Sequence, residues 1–131
     1  MIFIDSNVPM YLVGAPHRHK GYAQLAIERL LSERTRLVTD AEVFQEILHR
    51  YHAIGRRDAI QPAFSALLGV VDDVYAVDLD TLQRAKALLL GSAHLSSRDA
   101  LHVAVMEQHG IETILSFDQG FDAVPGIRRI S

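Results

Sequence analysis

The chain has no cysteine in its 131 residues, so disulfides and thiol chemistry are excluded and a reducing compartment such as the cytoplasm is the expected home. It has no apolar run of about 18 residues, so no membrane span is expected. The first apolar stretch is short and has no basic leader, so no secretory signal is expected either. Lysine is scarce: Lys20 and Lys86 are the only two, and the rest of the thirteen basic residues are arginines. Guanidinium groups suit bidentate contacts to phosphate, which permits a nucleic-acid substrate without indicating one. Positive charge is not in excess. The formal net charge of -3 argues against a protein that wraps nucleic acid by bulk charge. It leaves room for a nuclease, because an acidic metal-binding pocket lowers the net charge by itself. The nucleotide P-loop pattern is absent. An aspartyl-phosphate phosphatase would carry a second acid two residues after Asp5, where this chain has Asn7. A receiver domain would need a lysine at the end of a late strand, and neither lysine is there.

What is present reads as one domain over residues 1–131, with 49% hydrophobic and 22% charged residues. Met1-Ile-Phe-Ile-Asp5-Ser6-Asn7 runs from apolar residues straight into a carboxylate, a hydroxyl and an amide. A strand apolar on both faces belongs in the middle of a parallel sheet, and the carboxyl ends of such strands are where open α/β sheets bind ligands. The rest alternates. A short helix is expected over Val8–Val13 and a second over about Gly21–Arg34, after a polar lead-in from His17 to Lys20. A strand follows at Arg36–Thr39. Asp40 is expected to cap a helix running to about Ile54, ended by Gly55. Another helix spans about Arg57–Gly69, and a third strand Val74–Val77. Asp78 caps a helix to Leu90, Ser97 caps an apolar helix over Arg98–His109, and Gly110 closes it. The last strands are Glu112–Leu115 and Ile127–Ile130. This order means an α/β fold, three layers α/β/α, around a mostly parallel sheet of four or five strands.

Carboxylates stand at chemically useful points in that frame. Asp5 ends the first strand, and Glu46 lies in the second turn of the helix capped by Asp40. Asp99 lies in the first turn of the last long helix, and Asp118 follows the fourth strand with Asp122 four residues on. Strand ends and the starts of the following helices share one edge of a parallel sheet, so these acids can converge. Clustered carboxylates repel one another unless a cation sits among them. Oxygen donors without His or Cys suit magnesium or manganese, which activate water and stabilise the charge of a phosphoryl transition state. Each acid also has a plainer role open to it: Asp99 as a favourable charge at a helix start, Asp118 and Asp122 as turn residues, Glu46 as a surface glutamate. It is their joint placement that points to a site.

Four segments in order, Ile2-Phe-Ile-Asp5-Ser-Asn, Thr39-Asp-Ala-Glu-Val-Phe-Gln-Glu46-Ile-Leu, Ser97-Arg-Asp99-Ala-Leu-His-Val-Ala and Ile114-Leu-Ser-Phe-Asp118-Gln-Gly-Phe-Asp122, resemble the successive motifs of a PIN domain. The small size resembles a VapC-type toxin of a toxin–antitoxin pair, and the likeness covers essentially the whole chain. The resemblance implies a cytoplasmic, divalent-metal-dependent endoribonuclease (Mg2+ or Mn2+). It implies Asp5, Glu46, Asp99 and Asp118 as catalytic acids, with Asp5, Asp99 and Asp118 holding metal. Asp122 matches a variable fifth acidic position, and Ser116 the small hydroxyl residue before the fourth acid. Glu42, one helical turn before Glu46, competes for the second acid's role; Glu46 is preferred because it directly precedes the Ile-Leu pair. Ser6 and Asn7 either orient Asp5 or cap the short helix. The partners implied are an RNA substrate and a cognate antitoxin protein; a second copy of the chain is expected because isologous pairing is the commonest assembly. Tyr22, Ala26, Leu30, Phe64, Leu67 and Leu68 are surplus apolar residues that could form a groove for an antitoxin helix, or simply be core. The rival readings are a non-cleaving PIN-like RNA- or protein-binding module and a metal-dependent nuclease acting on DNA.

Seven histidines invite a zinc site, but His49 and His52 find no third ligand at zinc spacing. His102 is expected to be a partly buried packing or supporting residue rather than a ligand. His17 and His19 lie in a loop that could face RNA, and Arg98 could hold a phosphate.

Overall fold

The computed structural model describes all residues from Met1 to Ser131. Five strands, β1 (Ile2–Ile4), β2 (Leu37–Asp40), β3 (Asp73–Tyr75), β4 (Thr113–Leu115) and β5 (Arg128–Ile130), form one sheet in the order β3-β2-β1-β4-β5. Every pairing is parallel, with Phe3 opposite Val38 on one side and Ile114 on the other. Six helices flank it: α1 (Asn7–Val13), α2 (Arg18–Ser32), α3 (Ala41–Ala53), α4 (Ile60–Leu68), α5 (Leu79–Leu90) and α6 (Ser97–Gln108). α1 packs on α2 and α4, α3 packs on α4, and α5 packs on α6. The fold is the expected α/β/α arrangement, and the sheet is parallel throughout.

Burial explains the strand order. The β1 residues Ile2, Phe3 and Ile4 are all buried, as a central strand requires, and β2 is buried along its whole length. The edge strands β3 and β5 carry Asp73, Arg128 and Arg129, charged residues that discourage pairing with another sheet edge. The core gathers Phe3, Ile4, Leu37, Ile47, Leu67, Met106, Ile114 and Phe121, all fully buried. α6 is apolar nearly all round because it lies between two layers. Val103, Val105 and Met106 join this core, whereas Ala100, Leu101 and Ala104 pack with Ala85 of α5.

Local chemistry moves several expected boundaries. Ser96, not Ser97, caps α6: its backbone is extended and its hydroxyl accepts the Asp99 N–H at 3.1 Å, while Ser97 is already helical. α2 starts earlier than Gly21, at Arg18, because the His17 ring accepts the His19 N–H and serves as the cap. The Arg57–Gly69 helix is a 3-10 turn, Arg57–Ala59, followed by α4. The third strand is Asp73–Tyr75 rather than Val74–Val77, in register with β2. Of the surplus apolar residues, Ala26, Leu30 and Leu67 are core, Phe64 is half-buried edge-on against Phe44, and only Tyr22 and Leu68 are exposed.

The sheet order reverses direction between β1 and β4: the chain leaves β1 towards β2 and β3, and later returns to β4 and β5. In parallel sheets such a switch leaves a crevice beyond the carboxyl ends of the two strands. Asp5 follows β1 there, and Ser116, Phe117 and Asp118 follow β4.

Candidate active site

A polar cavity of about 360 Å³ opens at this crevice, and its walls include Asp5, Glu46, Asp99 and Asp118. Asp5 comes from the end of β1, Glu46 from α3, Asp99 from the first turn of α6, and Asp118 from the turn after β4. Ser6, Asn7, Arg98 and Gly120 complete much of the lining. The four acids expected from the sequence are thus brought together.

Asp5 is buried and tightly held. Its Oδ1 accepts the Ser6 N–H at 2.8 Å, and its Oδ2 accepts the Ser116 hydroxyl at 2.6 Å. Asn7 does not cap α1. Its amide donates to Asp5 Oδ2 and to Ser116 Oγ, and its carbonyl oxygen accepts the Phe117 N–H. The Ser6 side chain makes no cap hydrogen bond either. Ser116 is a hub, since its Oγ also accepts the Asp118 N–H at 3.0 Å. Asp118 is itself exposed, and its Oδ1 accepts the Gly120 N–H at 2.8 Å. Position 120 is tight for a side chain. A Cβ there would lie 3.1 Å from Asp118 Oδ1, which would have to shift slightly, and 3.5 Å from Asp99 Oδ2.

Behind the acids stands a feature that sequence reasoning missed. His102 is fully buried, more than the partial burial expected of it. Its Nδ1 donates to Asp40 Oδ2 at 2.7 Å, and its Nε2 donates to Glu46 Oε1 at 2.8 Å. Nε2 also lies 3.9 Å from Asp5 Oδ1. Both ring nitrogens face carboxylates, which accept and do not donate when ionised, so the ring is an imidazolium. Asp40 does two jobs: Oδ1 caps α3 by accepting the Val43 N–H, and Oδ2 holds His102. The signal available in the sequence was slight, a polar residue on the apolar stripe of α6. Phe3 packs against the ring at 5.3 Å.

These contacts set the charges. Burial pushes the Asp5 carboxyl above its ordinary value, against the pull of His102 and the Ser116 hydrogen bond. Burial opposes charge on His102, but the hydrogen bonds to Asp40 and Glu46 prevail and hold its pKa well above the ordinary value. Burial would raise Glu46 as well. There the hydrogen bond and charge of His102 win, and Glu46 is lowered. Asp99 has no such cation in contact. Burial, then the neighbouring charges of Asp118 and Asp5, raise it to about 7.

The remaining expected positions separate. Glu42 is half-buried, lies outside the acid cavity, and is raised by burial and by Glu46. It makes no hydrogen bond with His102, whereas Glu46 does. Asp122 points to β5, in a two-pronged pair with Arg129 at 2.9 and 3.0 Å. Arg129 also donates to the Ser116 carbonyl, so this pair braces the turn that carries Asp118. His49 and His52 are exposed, as expected of surface histidines.

The donor set fits a hard divalent cation. Asp5, Glu46 and His102 offer ligand atoms within 4.8 Å of one another, but His102 has spent both nitrogens on carboxylates and cannot ligate. Asp5 and Glu46 remain of that group, and Asp99 and Asp118 line the same cavity, so every donor is an oxygen; Asp99 is raised first by burial and then by the charges of Asp118 and Asp5.

Known proteins with this sequence pattern and shape agree with one another. A family model for the PIN domain matches residues 2–127. Ribonuclease VapC13 of Mycobacterium tuberculosis is 57% identical over the full length of both chains. The crystal structure of M. tuberculosis VapC20, a Sarcin-Ricin loop cleaving toxin, superposes with a TM-score of 0.78 at 26% identity, over 94% of each chain. A toxin-antitoxin complex from Klebsiella pneumoniae shares the fold, with a TM-score of 0.69 at 16% identity, over 98% of this chain and 96% of that one.

Proposed function

The chain belongs to the PIN-domain family, and from that premise we propose that it is a divalent-metal-dependent endoribonuclease, the toxin of a toxin–antitoxin pair. The observation that carries the reading is the convergence of Asp5, Glu46, Asp99 and Asp118 on one polar cavity at the sheet's switch point. Asp5, Asp99 and Asp118 would hold Mg2+ or Mn2+. A bound ion of this kind activates water and neutralises the charge that develops on a phosphoryl group in the transition state.

The chain's own residues do the rest. Ser116, Asn7 and the Ser6 N–H hold Asp5 from three sides, so its orientation is set before substrate arrives. Asp99 is the carboxylate placed to take the proton of the attacking water; its pKa of about 7 belongs to the metal-free site, and a bound cation would lower it and keep the carboxylate ionised. His102 keeps Glu46 ionised and fixed. No covalent intermediate is assigned, since the Ser116 hydroxyl is fully buried and committed to Asp5. The identity with a named ribonuclease favours RNA over DNA and cutting over mere binding. The VapC-type likeness makes an antitoxin protein the natural partner and a homodimer the expected assembly, in the commonest closed symmetry.

Purified protein with Mg2+ or Mn2+ is expected to cut structured RNA at one or a few positions, and EDTA to stop it. Asp5→Asn and Asp99→Asn are each expected to lower the rate by at least about a hundredfold with the fold intact by circular dichroism. Wild-type cutting by either variant at low enzyme concentration would overturn the assignment.

A further inference from the structure

The segment from Ser116 to Asp122 carries Asp118, and one side chain holds both of its ends. Arg129 of β5 donates from all of its guanidinium nitrogens. Nε and Nη2 reach the two oxygens of Asp122 at 2.9 and 3.0 Å, and Nη1 reaches the Ser116 carbonyl at 3.1 Å. The Ser116 N–H in turn donates to the Ile130 carbonyl at 3.0 Å, so Ser116 is tied to β5 through both of its backbone groups. The Arg129 side chain is 17% exposed and that of Asp122 is 53% exposed, so the guanidinium lies beneath its acid rather than out in solvent. Arg129 is not in the wall of the acid cavity.

Ser116 is where this support enters the site. It is fully buried, and its hydroxyl donates to Asp5 Oδ2 while accepting the Asp118 N–H and the Asn7 amide. A shift of Ser116 therefore moves two of the carboxylates proposed for the metal, Asp5 and Asp118. A working constellation has to be held to within about 0.5 Å by groups that are themselves locked. Ser116 is locked from the side of β5, and the only side chain that reaches its backbone there is Arg129.

We propose that Arg129 is a positioning residue for the metal site: through Ser116 it fixes Asp5 and Asp118 in the geometry that holds the cation, and Asp122 aims the guanidinium instead of binding metal. This rests on the metal-dependent reading of the cavity. It adds a residue from the edge strand and gives the fifth acid a role. The sign of the effect separates positioning from charge. Arg129 is a cation near an anionic site, and removing it also frees the Asp122 carboxylate. By Coulomb's law alone the site would then attract a divalent ion more strongly. Loss of positioning makes the ion bind more weakly. Lysine keeps the charge but has a single nitrogen, which cannot serve Ser116 and both oxygens of Asp122 as the planar fork does.

The test is titration calorimetry with Mn2+ alone on wild type, Arg129→Ala, Arg129→Lys, Arg128→Ala and Asp122→Asn. Arg128 is the exposed neighbour on the same strand and controls for lost charge. Arg129→Ala is expected to raise the Kd for Mn2+ about tenfold, the usual loss when a group that orients a metal ligand is removed, and Arg129→Lys to raise it about threefold. Arg128→Ala should leave it at the wild-type value. Asp122→Asn keeps an amide oxygen for the guanidinium and should stay within about twofold. In cleavage assays, Arg129→Ala should lower kcat about tenfold and keep KM within about twofold, since Arg129 touches no substrate. Arg129→Lys carries the same comparison should Arg129→Ala fail to fold. Unchanged or tighter Mn2+ binding in the Arg129 variants would overturn the proposal. An equal loss in Arg128→Ala would also overturn it, as would a larger loss in Asp122→Asn than in Arg129→Ala, which would make Asp122 a ligand. A raised KM with unchanged kcat would make Arg129 an RNA contact and overturn it too. The calorimetry needs no catalysis. A wild type whose Mn2+ binding depends on Arg129 but which never cuts RNA would sink the nuclease reading alone, and one that binds no Mn2+ would sink both.

Discussion

Asp99→Asn removes the carboxylate of the cluster that is driven to about 7, and in EDTA it should stabilise the protein rather than weaken it. An acid with a raised folded-state pKa is penalised only in its charged form. The penalty is absent below the ordinary value of 3.8, grows as pH rises, and is complete above about 7. The gap between those values corresponds to about 4 kcal/mol at most. Solvent and counterions at the open cavity screen this to about 1–2 kcal/mol. Against it stands the lost charge at the α6 N-terminus, where Asp99 lies in the first turn, worth about 0.3–1 kcal/mol. The expected net gain at pH 8 is about 1 kcal/mol, or about 3–5 °C in Tm for a chain of this size. At pH 4 the gain should vanish. Metal should reverse the order: at a hundred times its Kd, an ion adds about 2.7 kcal/mol to the wild type by mass action, and less to a variant that has lost a ligand. The assay is thermal melting of both proteins at pH 4, 6 and 8, with EDTA and with manganese. A variant that melts lower in EDTA at pH 8, together with equal gains from manganese, would refute the clustered-site reasoning.

Further outcomes follow from the same contacts. His102→Ala leaves Asp40 and Glu46 buried without their cation, and urea denaturation should show a loss of about 3–5 kcal/mol; a loss under about 1 kcal/mol would mean the bridge is not ionic. Because His102 is raised, its contribution should be complete below pH 6.5 and fade as pH climbs through the higher folded-state value. Asp122→Asn should keep most activity and leave Tm nearly unchanged, since its pair with Arg129 lies outside the cavity and Asp122 is exposed. Asp118→Asn should abolish cutting; an active Asp118→Asn beside an inactive Asp122→Asn would reverse their roles.

Much of the fold was legible along the chain. Ile2-Phe-Ile has no polar face, so it could only be a central strand, and the α/β alternation leaves few arrangements other than a parallel sheet between helices. The motif order pointed to Asp5, Glu46, Asp99 and Asp118 because strand ends and helix starts share one edge. These inferences need only local pattern and topology, and both are written in the order of residues.

Other features needed three dimensions. Asp40 reads as a helix cap and is one, but its second oxygen reaches His102, 62 residues away. The choice between Glu42 and Glu46, one turn apart, turns on which of them meets that imidazolium. Asp122 looks like another member of the acid set until β5 brings Arg129 beside it. A hydrogen bond or ion pair depends on the partner's position to within a few tenths of an ångström, and no spacing in sequence encodes that for residues on different elements. Residue types and their order determined which groups stand at the sheet edge. The packing of α3 and α6 against β1 and β2 decided which of them touch, and hence which carry charge.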